Sequence, residues 1–189
     1  MSNWLDVVGS FIIGGIAVLI LTNLNFAVNS AASENLYSGI IQRNITSATD
    51  LIDHDFYKIG YRFSGNKIII ADSNEVKFYS DIDNDGITDE VHYFVGDTKS
   101  LKETLNPNDY ILTRKMNNEK STTSIAVVEF NIAYFDSLGQ ILDYSSLKSQ
   151  SERDRIRTIG VKMKCESAEM IDGKYEAVEW EKTIKPKNI

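Results

Sequence analysis

Residues 7–26 read VVGSFIIGGIAVLILTNLNF and contain no charged side chain. At a rise of 1.5 Å per residue, about 20 apolar residues in a helix span roughly 30 Å, the thickness of the hydrocarbon core of a membrane. A cleaved secretory signal has a basic start and a shorter apolar core. Here no Lys or Arg precedes Arg43, and Asp6 is the only charged side chain before the run. The stretch therefore predicts a helix that lies in lipid or packs against identical helices.

The helix is expected to continue well past residue 26, because no proline occurs before Pro107. After the apolar run the pattern becomes one-sided, as in a helix that covers a core with one face. The residues of this stripe are Tyr37, Ile41, Ile45, Ala48 and Ile52. We predict one helix over about 3–53. The alternative on periodicity alone is a plain single-span anchor followed by a stalk.

After Asp53 the apolar period changes from 3.6 to 2, which is typical of an antiparallel sheet with one wet and one covered face. Strands are predicted around 68–71, 75–80, 90–95, 110–113, 128–134, 159–165 and 175–184, and a short helical turn over 149–155. The predicted fold class is α+β, with the helix packed on the sheet. Three parts follow: 1–28 in the membrane or filament core, 29–53 as the amphipathic half of the helix, and 54–189 as a β-rich head.

Composition excludes several classes of function. The net charge of −7 argues against a nucleic-acid binder, which needs a basic surface. The single cysteine, Cys165, allows no internal disulfide and falls on the apolar phase of a strand, so we expect it to be buried. The sequence contains no G-x-S-x-G, P-loop, GxGxxG or HExxH motif. No catalytic residues are predicted, and an enzyme is the least favoured class.

The segment with the most specific chemistry is the run DIDNDGITD over residues 81–89. Carboxylates at alternate positions converge if the chain curls, and Gly86 permits the sharp turn. The predicted ligands are Asp81, Asp83, Asp85, the backbone carbonyl of Ile87, and Asp89. Such an all-oxygen shell suits Ca²⁺, which takes six to eight oxygens at about 2.3–2.6 Å.

The loop joins two strands and has His92 where an EF-hand would have glutamate, so we expect a hairpin calcium loop rather than an EF-hand. The alternative is an Asp/Asn/Gly-rich turn that binds nothing. Any bound ion is expected to be structural, because no general base is predicted beside a substrate pocket.

The layout resembles the type IV pilin-like superfamily, and within it the J-type minor pseudopilins of type II secretion systems. Three local pieces carry the resemblance beyond the architecture. They are the strand and acidic turn 75–86, the strand and D-x-x-G turn 130–139, and the late strand 155–163 with the ending Pro186-Lys-Asn-Ile189.

The resemblance implies a filament with the N-terminal helices in a central bundle and the heads outside, without enzymatic activity. It implies as partners copies of this chain or related pilin-like subunits, and the bacterial inner membrane and its assembly platform before export to a periplasmic or extracellular filament. The usual basic leader is missing, so the chain is expected to be either mature or leaderless.

The family's glutamate near the mature N-terminus has a possible counterpart in Asp6, which a neighbouring subunit would pair. The alternative, with equal weight, is that Asp6 has no partner subunit and is favoured because a negative side chain interacts well with the positive end of the helix dipole. The expected assembly residues are Asp6, Gly9, Phe11, Gly14 and Gly15. The competing function is a membrane-tethered, calcium-dependent binding or adhesion module at the cell envelope that does not polymerise.

Overall fold

The computed structural model describes residues 2–96, 106–117, 123–171 and 173–189. Its first element is one uninterrupted helix, α1, over Ser2–Tyr57, which is 56 residues long. This confirms the predicted rod and extends it by one turn beyond residue 53. The extra turn is held because Phe56 is fully buried, with its ring 5.9 Å from that of Phe78 and 5.4 Å from that of Tyr93.

The two halves of α1 have different surroundings. In the front half, residues 3–36, every residue is exposed except Gly9 and Ser30, which are partly exposed. In the rear half, residues 37–57, one stripe is buried. Contact with the head begins at Tyr37, whose hydroxyl donates to Oε2 of Glu169 at 3.0 Å. The part of α1 before Tyr37 therefore projects from the head.

The head begins with a five-stranded antiparallel sheet in which each strand pairs with the next along the chain. Its strands are β1 (Ile68–Ala71), β2 (Glu75–Ser80), β3 (Asp89–Val95), β4 (Tyr110–Met116) and β5 (Thr123–Val127). Four of these strands were predicted. The fifth strand, β5, was not predicted, because its residues show no apolar alternation.

A second sheet of three antiparallel strands follows: β6 (Glu129–Phe135), β7 (Thr158–Glu166) and β8 (Ala177–Ile184). Only Val128 separates β5 from β6, and its backbone N–H donates to the carbonyl of Lys164 at 2.9 Å. The chain thus passes from one sheet to the other within a single residue, where one sheet was expected. A short helix, α2 (Gln150–Arg153), lies between β6 and β7, as predicted.

The core forms between the rear half of α1 and the two sheets. Four of the five predicted stripe residues, Ile41, Ile45, Ala48 and Ile52, are buried, and Tyr37 is half-buried. Each fully buried Ile or Phe side chain contributes roughly 1.5–3 kcal/mol. The rear half of α1 packs along β8 and β7. Lys182 of β8 also forms an ion pair with Asp53 of α1.

A buried ion pair fixes the end of α1 on the first sheet. Asp55 is completely buried, and its Oδ2 accepts from Nε of Arg114 at 2.6 Å and from the hydroxyl of Tyr93 at 2.8 Å. Burial would lower the pKa of Arg114, but the hydrogen bond and charge of Asp55 raise it. The sequence analysis missed this pair.

Candidate metal centre

The acidic run forms the loop of the β2–β3 hairpin, closed by the pair Ser80–Asp89. Asn84 and Gly86 have φ angles of 67° and 87°, in the left-handed region where glycine is favoured. A Cβ on Gly86 would meet nothing within 4 Å, so the backbone conformation alone favours glycine there. The loop therefore curls as the sequence predicts.

Three of the predicted carboxylates come together. One oxygen each of Asp81, Asp83 and Asp89 can be chosen so that all lie within 4.8 Å of one another. Asp81 and Asp89 are 1% and 5% exposed, and Asp83 is exposed, so the group opens to solvent on one side. Like charges at this separation repel unless a cation lies between them. The cluster could hold a metal ion.

Asp81 gives the strongest indication that this loop can bind a cation. Its Oδ2 accepts from Nη1 of Arg62 at 3.0 Å and from the N–H of Gly86 at 3.2 Å. Its Oδ1 is buried and has no hydrogen-bond partner among the described residues. A buried charged oxygen without a partner is costly, so a cation or donor at this position would stabilise the loop.

Asp81 remains ionised at neutral pH. Burial would raise its pKa, but the hydrogen bond and charge of Arg62 and the N–H of Gly86 outweigh burial and lower it. The group therefore offers an anionic oxygen ligand. Arg62 donates to Oδ2, so it does not satisfy the buried Oδ1.

A second aspartate turn in the same head provides a comparison, because both oxygens of its carboxylate have partners within the protein. In the predicted turn 136–139, Oδ1 of Asp136 accepts from the N–H groups of Leu138 and Gln140 at 2.8 and 3.0 Å. These bonds lower the pKa of Asp136, and Oδ2 lies 3.7 Å from Nη2 of Arg155. Each oxygen of Asp136 therefore has a partner, in contrast to Asp81.

Asp89 is fixed from two sides. Its Oδ2 accepts from the N–H of Ile82 at 3.0 Å, and its Oδ1 accepts from Nδ2 of Asn117 at 2.9 Å. Asn117, at the end of β4, also accepts from the N–H of Glu90. The sequence analysis missed Asn117 and Arg62, because only the pairing of β3 with β4 and the turn after α1 bring them to the loop.

Of the remaining predicted ligands, Asp85 lies outside this group of carboxylates, and the backbone carbonyl of Ile87 stays a prediction. Asp85 is exposed, and its Oδ1 accepts from the N–H of Ile87 at 2.7 Å. The side chain of Ile87 is exposed. Asp83, which is in the cluster, accepts from the N–H of Asp85 at 3.1 Å. The ligand set brought together is thus three carboxylates, an oxygen set suited to hard cations such as Ca²⁺, Mg²⁺ or Mn²⁺.

The predicted assembly residues all lie on the front half of α1. Asp6, Phe11, Gly14 and Gly15 are exposed, and Gly9 is partly exposed. A Cβ on any of the three glycines would meet nothing within 4 Å. By length and composition, α1 is apolar enough to cross a membrane, and none of its most apolar window is buried in the head. The front half could serve as a membrane anchor.

Comparison with protein-family models, with curated proteins and with solved structures finds no match to this chain.

Proposed function

We propose that this chain is a structural, pilin-like subunit of the pseudopilin type, without enzymatic activity. It resides in the bacterial inner membrane, meets an assembly platform there, and polymerises with copies of itself or with related pilin-like subunits into a periplasmic or extracellular filament. The observation that carries the proposal is the single helix of 56 residues whose most apolar window has no residue buried. Such a surface needs lipid or other helices to cover it.

The composition of the front half suits a membrane first and a bundle of helices afterwards. Its length matches a membrane, and Gly9, Gly14 and Gly15 leave open backbone surface that a neighbouring helix can approach closely. Asp6 lies before the apolar run, where a charge is costly in lipid unless paired. A neighbouring subunit's terminal amine would supply that pair in a filament.

The test is negative-stain microscopy of sheared cell-surface material, with mass spectrometry of the same fraction. We expect filaments that contain this chain. Recovery only as detergent-soluble monomers would contradict the proposal and favour a tethered binding module. Asp6→Ala should abolish filaments while the melting temperature of the head stays that of the wild type. Filament yield equal to the wild type would remove Asp6 from assembly.

We further propose that the loop ion is Ca²⁺ and that it stabilises the head. A ligand present at 100 times its Kd stabilises a fold by about 2.7 kcal/mol. Asp83→Ala should therefore lower the melting temperature in calcium and leave it nearly unchanged in chelator. Asp85→Ala is the matched control, because Asp85 lies outside the cluster and should retain most of the calcium effect.

Asp81→Asn gives the sharper test, because it removes the charge on the unpartnered oxygen and retains the shape of the side chain. It should lose the calcium effect, whereas in chelator it should lose less stability than in calcium. Equal melting of wild type and Asp81→Asn in calcium would exclude the site. If magnesium stabilised the wild type as much as calcium does, the site would be a general divalent one.

A further inference from the structure

A second polar pocket, of about 390 Å³, lies on the head where the segment after α1 meets the short helix α2. One wall is the loop 64–67, and the other carries Arg153 and Arg157. Ile68 and Ile156, both buried, form part of the lining. The pocket is separate from the acidic loop and from the assembly residues.

Positive charge predominates in this pocket. Lys67, Arg153 and Arg157 line it, and their side chains donate only to uncharged acceptors in the described part of the chain. Asp154 is the one carboxylate among the lining side chains, and its Oδ1 accepts from Nε2 of Gln150. Among the lining side chains three are positive and one is negative, on a chain of net charge −7, and Ile189, which carries the terminal carboxylate, also lines the pocket.

The two arginines differ in what they can offer. Nη1 of Arg153 donates to the carbonyls of Leu147 and Lys148 at 2.7 and 2.8 Å, and its Nε donates to the carbonyl of Ile68. Arg153 is therefore a fixed charge with few N–H groups to spare. Arg157 donates only through Nη1, so its Nε and Nη2 have no acceptor among the described residues.

The facing loop adds neutral donors. It carries the hydroxyl of Ser64, the amide of Asn66 and the backbone N–H groups of residues 64–66, for which the described structure provides no acceptor. Backbone and side-chain donors that converge beside fixed positive charges form the usual binding site for tetrahedral oxyanions. Arginine in particular can present paired N–H groups to two oxygens of one anion.

We propose that this pocket binds an oxyanion of the phosphate or sulfate class, held by Arg157 and Lys67 and by the donors of the loop 64–66. Arg153 contributes charge and acts as a positioning residue, because its guanidinium ties α2 to the carbonyls of Leu147, Lys148 and Ile68. The pocket lies beyond the end of α1, about 45 Å of helix past residue 26. At this distance from the apolar run, the proposed ligand is a soluble anion or phosphate ester and not a headgroup of the membrane that would hold this chain.

The test uses the full chain in uncharged detergent micelles, with ³¹P NMR line broadening of inorganic phosphate and of glycerol 3-phosphate as readout and sulfate as competitor. Arg157→Gln should weaken phosphate binding about ten- to hundredfold, the usual effect of losing hydrogen bonds to a charged group. The control is Lys174→Gln, which removes the same charge from an exposed residue in the turn before β8, remote from the pocket.

Lys67→Gln should weaken binding in the same direction and serves if Arg157→Gln fails to fold. The proposal would be overturned if the wild-type protein broadened the ³¹P line of neither probe at millimolar concentration. Equal losses in Arg157→Gln and Lys174→Gln would also overturn it, since they would show attraction to net charge only. Binding of glycerol 3-phosphate as tight as that of phosphate would show that the pocket accepts a phosphate ester, and binding of phosphate alone would restrict the pocket to a free anion.

Discussion

The two halves of α1 are one continuous helix, yet they obtain their stability from different places. The rear half buries a stripe of isoleucines against β7 and β8 and ends in the ion pair of Asp55 with Arg114. The front half has apolar side chains on every face and buries none of them. Hydrophobicity alone therefore does not determine what a helix packs on. A stripe directs a helix to its own head, and an all-round apolar surface directs it to lipid or to other chains.

The largest effect should come from breaking the buried ion pair. Arg114→Leu leaves Asp55 charged and buried without its partner, which typically costs about 3–5 kcal/mol. Urea unfolding of the head in detergent measures this loss. Arg43→Leu removes the same charge from an exposed position on α1 and should change the unfolding free energy by less than about 0.5 kcal/mol. Similar losses in both variants would show that the pair does not fix the helix.

The same substitution in each half tests the comparison directly. Ile45 is 3% exposed and Ile20 is 61% exposed. Ile45→Ala should destabilise the head by about 2–5 kcal/mol, because it removes buried apolar atoms and leaves a cavity. Ile20→Ala should leave the unfolding free energy of the head unchanged. A loss at Ile20 equal to that at Ile45 would mean that the front half also packs on the head.

A smaller, kinetic effect is expected at Cys165, which is buried and lines a pocket together with Ile41 and Ala48 of the rear half. Burial, with a contribution from the charge of Asp109, raises the pKa of its thiol to about 12. Because the folded pKa is raised, the stability that the neutral thiol contributes is complete below pH 9 and decreases as the pH rises toward 12.

Alkylation of Cys165 at pH 8 should therefore be very slow in the native protein and should require opening of the core. Ile45→Ala should accelerate it in proportion to the stability that it loses, and Ile20→Ala should not. Mass spectrometry of the labelled protein follows the rate. Fast labelling of the wild type would show that the rear half does not stay on the sheet.

Sequence patterns predicted the elements that have a regular period. The rod, its buried stripe and strands such as β3 and β7 follow from periods of 3.6 and 2. The strand β5 was missed because its residues TSIAV do not alternate, and the second sheet was missed because the bend at Val128 depends on a hydrogen bond to distant Lys164.

The candidate site was predicted as far as it is local. The aspartates at 81, 83 and 89 lie within one loop, so their spacing indicated convergence. Arg62 and Asn117 approach the loop only through the tertiary fold, and Asp55 and Arg114 meet across 59 positions in the sequence. Contacts of this kind leave no periodic signal, so no spacing rule could have identified them.

The junction after α1 determines how a force applied along the helix would reach the head. Past Tyr57, the chain is bonded to the end of β2 through Gly60 N–H to the carbonyl of Tyr79 and through the Ser80 hydroxyl to the carbonyl of Lys58. A pull along the rod must slide the whole buried stripe past β7 and β8 at once before it loads these bonds. Contacts loaded together in shear yield at higher force than contacts that break one by one. The head should therefore stay attached to α1 when a force acts along the helix.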